Sequence, residues 1–197
     1  MSSCTSNTKN DSSFCKQPTI GPHLGTLEAV VQSYRETCQS RLEAQLRTFG
    51  DEPTLQSAVA RAALAETPDG KRYSHQRRIK RVVLREMRRR LLEIGFSKLR
   101  SFDEIHNAVD QAIGSIRGVG DLLLYDTALR IGAKLGIMPD RVYLHSGTRR
   151  GARALGLPSK RRSISIAELP VALRGLKPHE IEDCLCIFKD DFQGAAP

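Results

Sequence analysis

Two places in this chain bring together side chains able to do chemistry. In Tyr143-Leu144-His145-Ser146-Gly147-Thr148-Arg149-Arg150 a histidine ends a short alternating segment, hydroxyls and a glycine follow, and two arginines come next. If Thr148 caps a short helix, this is the composition of an anion pocket. His145 would serve as general acid or base, and Arg149 and Arg150 would stabilise a phosphate. Asp126 is the carboxylate expected to orient the imidazole, although its spacing to Arg130, four residues on, also predicts a plain helical ion pair. The competing role for His145 is structural, because a single histidine near a helix start commonly just satisfies a hydrogen bond.

The second place is the run SHQRRIKRVVLREMRRRLLEIG, from Ser74 to Gly95. Ile79, Val82, Val83, Met87, Leu91 and Ile94 recur as one apolar stripe, and Arg78, Arg81, Arg85, Arg88 and Arg89 form the other face. Residues 71–100 hold twelve basic side chains against Glu86 and Glu93, and residues 147–162 add six more (Arg149, Arg150, Arg153, Lys160, Arg161, Arg162) with no acid. The 197-residue chain carries +9 overall, so everything outside these windows is acidic on balance. Like charges at helical i,i+4 spacing repel, so a partner outside the helix should compensate. Arginine rather than lysine dominates, which fits phosphate, since a planar guanidinium donates paired hydrogen bonds.

Other chemistries lack their signatures. No P-loop, HExxH, GxSxG or zinc-finger spacing occurs, and neither a metal site nor a cofactor is expected. Cys184 and Cys186 lie about 200° apart around a helix and do not converge on a metal. The five cysteines (Cys4, Cys15, Cys38, Cys184, Cys186) are odd in number and scattered, which reads as reduced thiols in a cytoplasmic protein. No apolar run approaches a membrane span, and with no Trp in the chain a membrane-surface role for the basic helix is disfavoured.

The elements that position these residues are mostly helices. Residues 1–22 read as a disordered tail. Residues 23–70 predict a helical hairpin: a long helix capped by Thr26 and ending at Gly50, then a shorter one from Pro53 to Ala65 before the turn Pro68-Asp69-Gly70. Residues 71–190 form the basic helical domain. In it Ser101 with Glu104 fits a capping box, Gly118-Val119-Gly120 makes a tight turn, and a helix from Leu122 to Gly136 contains Gly132 as a close-packing point. Residues 141–145 and 160–166 alternate like short strands, Thr148 caps a helix to Leu155, Pro178 opens a last helix, and 191–197 fray. The fold class is mainly α: a compact helical domain with one or two short strands and a glycine-turn helical hairpin.

The stretch 116–142, with its Gly-x-Gly turn, helix and Gly-Ile-x-Pro-x-Arg, resembles the helix-hairpin-helix and helix-two-turn-helix motifs of DNA-repair enzymes and of one small-subunit ribosomal protein. The resemblance rests on Gly118, Val119, Gly120, Gly136, Ile137, Pro139 and Arg141, and it implies that the turn contacts a phosphate backbone without reading bases. Two departures stand out. The second helix is about one turn longer, and Asp121 follows the second glycine where the motif has a neutral or basic residue. The run YDTALRIG…VYLHSGTRRGA is also similar to a widespread uncharacterised bacterial family, a likeness that assigns no chemistry.

These observations lead to one expectation and two competitors. The chain is expected to bind DNA or structured RNA through the phosphate backbone, largely independently of sequence, using Arg78, Arg81, Arg85, Arg88, Arg89, Gly118, Gly120, Arg149, Arg150 and Arg153. One competitor is an enzyme acting on a nucleotide or nucleic-acid phosphate ester at His145, Arg149 and Arg150. The other is a basic adaptor for an acidic protein.

Overall fold

The computed structural model describes residues 25–192; the tail expected at 1–22 and residues 193–197 lie outside the described residues. Thr26 caps the first helix by accepting a hydrogen bond from Ala29 N, and the helix runs as α1 (Leu27–Tyr34), a π-helical segment (Arg35–Gln39) and α2 (Ser40–Gly50). The long helix expected from the apolar spacing is thus one continuous helical run, but with a widened turn inside it. There the Thr37 hydroxyl donates to the Ser33 carbonyl at 2.7 Å, a local bond that competes with the regular ladder.

That altered register divides the run between two hydrophobic cores. Leu27, Val30, Val31, Tyr34 and Cys38 pack in one core, and Leu46 and Phe49 in the other. Phe49's core is built from α2, α3 (Leu55–Leu64), α4 (Arg81–Leu91), α5 (Phe102–Ile113) and α6 (Asp121–Leu135). The other gathers α1, β1 (Val142–Tyr143), α7 (Ser146–Ala154), β2 (Ser163–Ile164) and α8 (Pro178–Ile187). The strands pair antiparallel, Val142 opposite Ile164 and Tyr143 opposite Ser163.

Three expectations shift at element ends. Thr54, not Pro53, starts α3, because Thr54 and Ser57 make a reciprocal capping box. The basic helix begins at Arg81 rather than Ser74: His75 and Gln76 turn inward to Asp126, and the Arg72 guanidinium binds the carbonyls of Arg77 and Ile79. Its buried stripe is Leu84, Met87 and Leu91, each contributing on the order of 1.5–3 kcal/mol by burial, while Val82 is 64% exposed. His145, not Thr148, occupies the N-cap of α7, because the Thr148 side chain points inward.

Two further corrections concern the C-terminal core and the cysteines. Phe192 is buried in the second core, so the start of the expected frayed tail is packed. Cys38 is disulfide-bonded, which overturns its reading as a reduced thiol; Cys184 and Cys186 are free. No helix among the described residues is long and apolar enough to cross a membrane.

Candidate phosphate-binding face and buried histidine cluster

Helix α4 and the turn that leads into it present cations outward. Arg77, Arg78, Lys80, Arg81, Arg85 and Arg88 are exposed, and none makes an ion pair among the described residues. The acids of the helix are already used. Glu86 binds Arg89 and Arg90, which hold its carboxyl down at about 2, and Glu93 binds Arg89 at 3.2 Å, so Arg89 is paired rather than free.

The glycine hairpin lies against the start of this face. Gly118 takes φ +102°, a left-handed conformation that favours glycine, and Gly120 is the N-cap of α6 with Asp121 as its first residue. Val83 of α4 packs over the turn, 3.8 Å from where a Cβ on Gly118 would stand. Arg78, Ile79, Lys80, Val83, Arg117 and Gly118 line one crevice of about 660 Å³. Arg117 is an exposed cation that the charge windows passed over, although its place directly before the glycine turn was visible in the sequence.

Four of the six cations in the second basic cluster have partners within the fold. Arg149 donates to the carbonyls of Ser159 and Arg161 at 2.9 and 2.8 Å, Arg150 pairs with Asp190 at 2.7 Å, and Arg161 with Glu168 at 2.5 Å. Arg162 donates to His106 Nδ1; burial first and this guanidinium second push the His106 pKa down to about 4. Arg153 and Lys160 make no ion pair among the described residues.

His145 sits in a buried cluster that the sequence did not outline. Its Nε2 contacts a Glu182 carboxylate oxygen, and Thr148 Oγ1 lies 2.8 Å from Nε2 and 3.0 Å from the same oxygen. Burial lowers the His145 pKa, but Glu182, with Asp126 and Asp121 more distant, outweighs it and holds the imidazole above its ordinary value. Asp126 does not orient this ring. It accepts from Gln76 at 2.8 Å, meets His75 Nε2 at 2.8 Å, and pairs with Arg130 at 3.3 Å as its i,i+4 spacing predicted. Arg130, 1% exposed, also lies 4.3 Å over the Tyr73 ring and binds Gln76 Oε1.

A cavity of about 130 Å³ opens beside the cluster, with His106, Asp121, Tyr125, Tyr143, His145 and Arg149 among its walls. Tyr125 Oη and His145 Nδ1 are buried without a hydrogen-bond partner. Arg150 is tied to Asp190 and is absent from these walls, so the expected trio of His145, Arg149 and Arg150 does not assemble.

One further juxtaposition is tertiary. Glu182 and Cys186 are four residues apart on α8, and His145 Nε2, a Glu182 oxygen and Cys186 Sγ all lie within 4.8 Å of one another. The sequence paired Cys186 with Cys184 and found no metal geometry; the fold pairs it instead with a histidine about forty residues away, which no local spacing could show. Gly147 makes room for the sulfur, since a Cβ there would stand 2.6 Å from Cys186 Sγ. Comparison with family models, curated proteins and solved structures finds no match to this chain.

Proposed function

We propose that the chain binds the phosphate backbone of DNA or structured RNA, largely independently of base sequence, through the exposed face of α4 and the crevice beside the glycine hairpin. The observation that carries this reading is the convergence of Arg78, Lys80 and Arg117 at the Gly118 turn, continuous with Arg81, Arg85 and Arg88, all without an ion pair to a carboxylate among the described residues. An unpaired cationic surface on a folded domain is stabilised by a polyanion through counterion release, and Arg-rich faces donate paired hydrogen bonds to phosphate. Asp121 sits at the end of the hairpin and disfavours an anion directly on the first turn of α6, so the contact falls to the α4 side of the turn.

Duplex or structured substrates fit better than flexible single strands. All four tyrosines and Phe49, Phe96, Phe102, Phe188 and Phe192 are buried, which leaves no exposed aromatic platform for base stacking among the described residues. The test is binding of the nuclease-treated full chain to duplex DNA, structured RNA and single strands across a salt series. The expected result is affinity for the first two that falls steeply with salt, with a slope reduced by Arg81→Ala/Arg85→Ala/Arg88→Ala. No binding at low salt overturns the reading and leaves an acidic protein as the partner to seek.

A further inference from the structure

We propose that His145 Nε2, the Glu182 carboxylate and Cys186 Sγ form a site for one divalent zinc ion, with a fourth position next to the Thr148 hydroxyl. A nitrogen, an oxygen and a sulfur all lie within 4.8 Å of one another, whereas zinc bond lengths of about 2.0–2.3 Å require ligands roughly 3–4 Å apart. The set is mixed and borderline in softness, which selects zinc over the oxygen-seeking magnesium and calcium.

None of the three donors has a Lys or Arg ion-pair partner among the described residues. Glu182 and Asp183 are adjacent on α8, so two carboxylates stand at this end of the cluster. Arg41 acts on Asp183 from α2, Tyr34 donates to Asp183 at 3.3 Å, and Lys189 reaches the Cys186 carbonyl at 3.3 Å; Glu182 itself meets His145 and the Thr148 hydroxyl. Asp126, another carboxylate near His145, is already matched by Arg130 and His75. A divalent cation would balance Glu182 and a Cys186 thiolate, giving a neutral centre in a buried place.

The scaffold also fits. Gly147 leaves room for the sulfur, and at Gly151 a Cβ would strike the Leu185 carbonyl, so α7 and α8 approach closely enough for residues on both to share an ion. His145 Nδ1, without a hydrogen-bond partner, belongs to a ring that lines the neighbouring cavity, where water can serve as the outer partner that metal-bound imidazoles require. Binding forms Zn–N, Zn–O and Zn–S bonds and breaks the Nε2–H and S–H bonds of an imidazolium and a thiol. Both protons pass to solvent, and Nδ1 keeps its own.

This inference is independent of nucleic-acid binding. The test uses the full chain, stripped with chelator and titrated with Co²⁺ as a spectroscopic substitute for zinc. One equivalent should produce a thiolate-to-cobalt charge-transfer band, and one equivalent of Zn²⁺ should bleach it. Cys186→Ser should abolish the band and Cys184→Ser should retain it. In the unmodified protein, Zn²⁺ should slow alkylation of Cys186 by about tenfold or more, and calorimetry in buffers of different ionisation enthalpy should show about two protons released per ion. A missing band, a band that survives Cys186→Ser, or unchanged Cys186 alkylation overturns the site. The alkylation measurement decides the matter even if the serine variant fails to fold.

Discussion

Helix α4 and the segment 147–162 look alike as strings of arginines, yet the fold uses them in opposite ways. On α4 the guanidinium groups of Arg81, Arg85 and Arg88 stand in solvent, because Leu84, Met87 and Leu91 occupy the one face that packs. In 147–162 the chain doubles back from α7 to β2, which brings Ser159 and Arg161 carbonyls, Glu168, Asp190 and His106 within reach of the arginines. A long straight helix offers its exposed cations only neighbours of its own sequence. A compact loop instead supplies carbonyls that need donors, and there arginine serves as an internal cross-link.

The sharpest test of that difference is the triple replacement Arg81→Ala/Arg85→Ala/Arg88→Ala. The salt slope of nucleic-acid binding should fall by about three and affinity at 0.1 M salt by roughly two to three orders of magnitude, counting counterion release alone. Stability should change by no more than about 0.5 kcal/mol per site, since these side chains make no ion pair in the fold. Arg149→Ala should do the reverse. Two backbone carbonyls lose their donor, so urea denaturation should show a loss of about 2 kcal/mol, with the salt slope unchanged. If Arg149→Ala instead lowered the slope as much as one α4 arginine, the division between the clusters would fail.

A pH series sharpens the comparison at Arg162. His106 is held at about 4 in the fold against 6.5 for the free side chain, by burial and then by Arg162. The unfolded chain therefore binds the proton more readily, and this contribution to stability is complete above 6.5 and is lost as pH falls from 6.5 towards 4. Arg162→Ala should raise the His106 pKa, read by NMR titration, and shrink that loss without removing it, because burial remains. His145 runs the other way. Its raised pKa gives stability that is present below 6.5 and lost as pH rises through the folded value, and Glu182→Gln should remove most of that dependence. The smallest effect belongs to Arg150→Ala: its pair with Asp190 is half exposed on both sides, so denaturation should register at most about 0.5 kcal/mol.

Much of this fold could be read from residue order because it depends on neighbours in sequence. Thr26 and Ser101 cap their helices, Gly136 ends α6 at φ +70°, Asp126 pairs with Arg130, and 141–145 with 160–166 supply the two short strands. Each of these follows from spacings of a few residues and from the limited conformations available to glycine, proline and capping side chains. The same local logic misplaced the start of α4. Residues 74–80 have a helical pattern, but their backbone follows His75 and Gln76 into the Asp126 and Arg130 network, a demand set by a helix about fifty residues away.

The functional residues divide along the same line. Composition and periodicity alone put the arginines of 78–88 on one exposed face, because amphipathic spacing decides which side of a helix meets water. Which cations stay unpaired, that Arg117 joins Arg78 and Lys80, that Glu182 rather than Asp126 meets His145, and that Cys186 lies beside them were decided only by the tertiary structure. Ion pairs and ligand clusters act over a few ångströms of space regardless of separation along the chain, and only packing brings α4 to the hairpin and α7 onto α8.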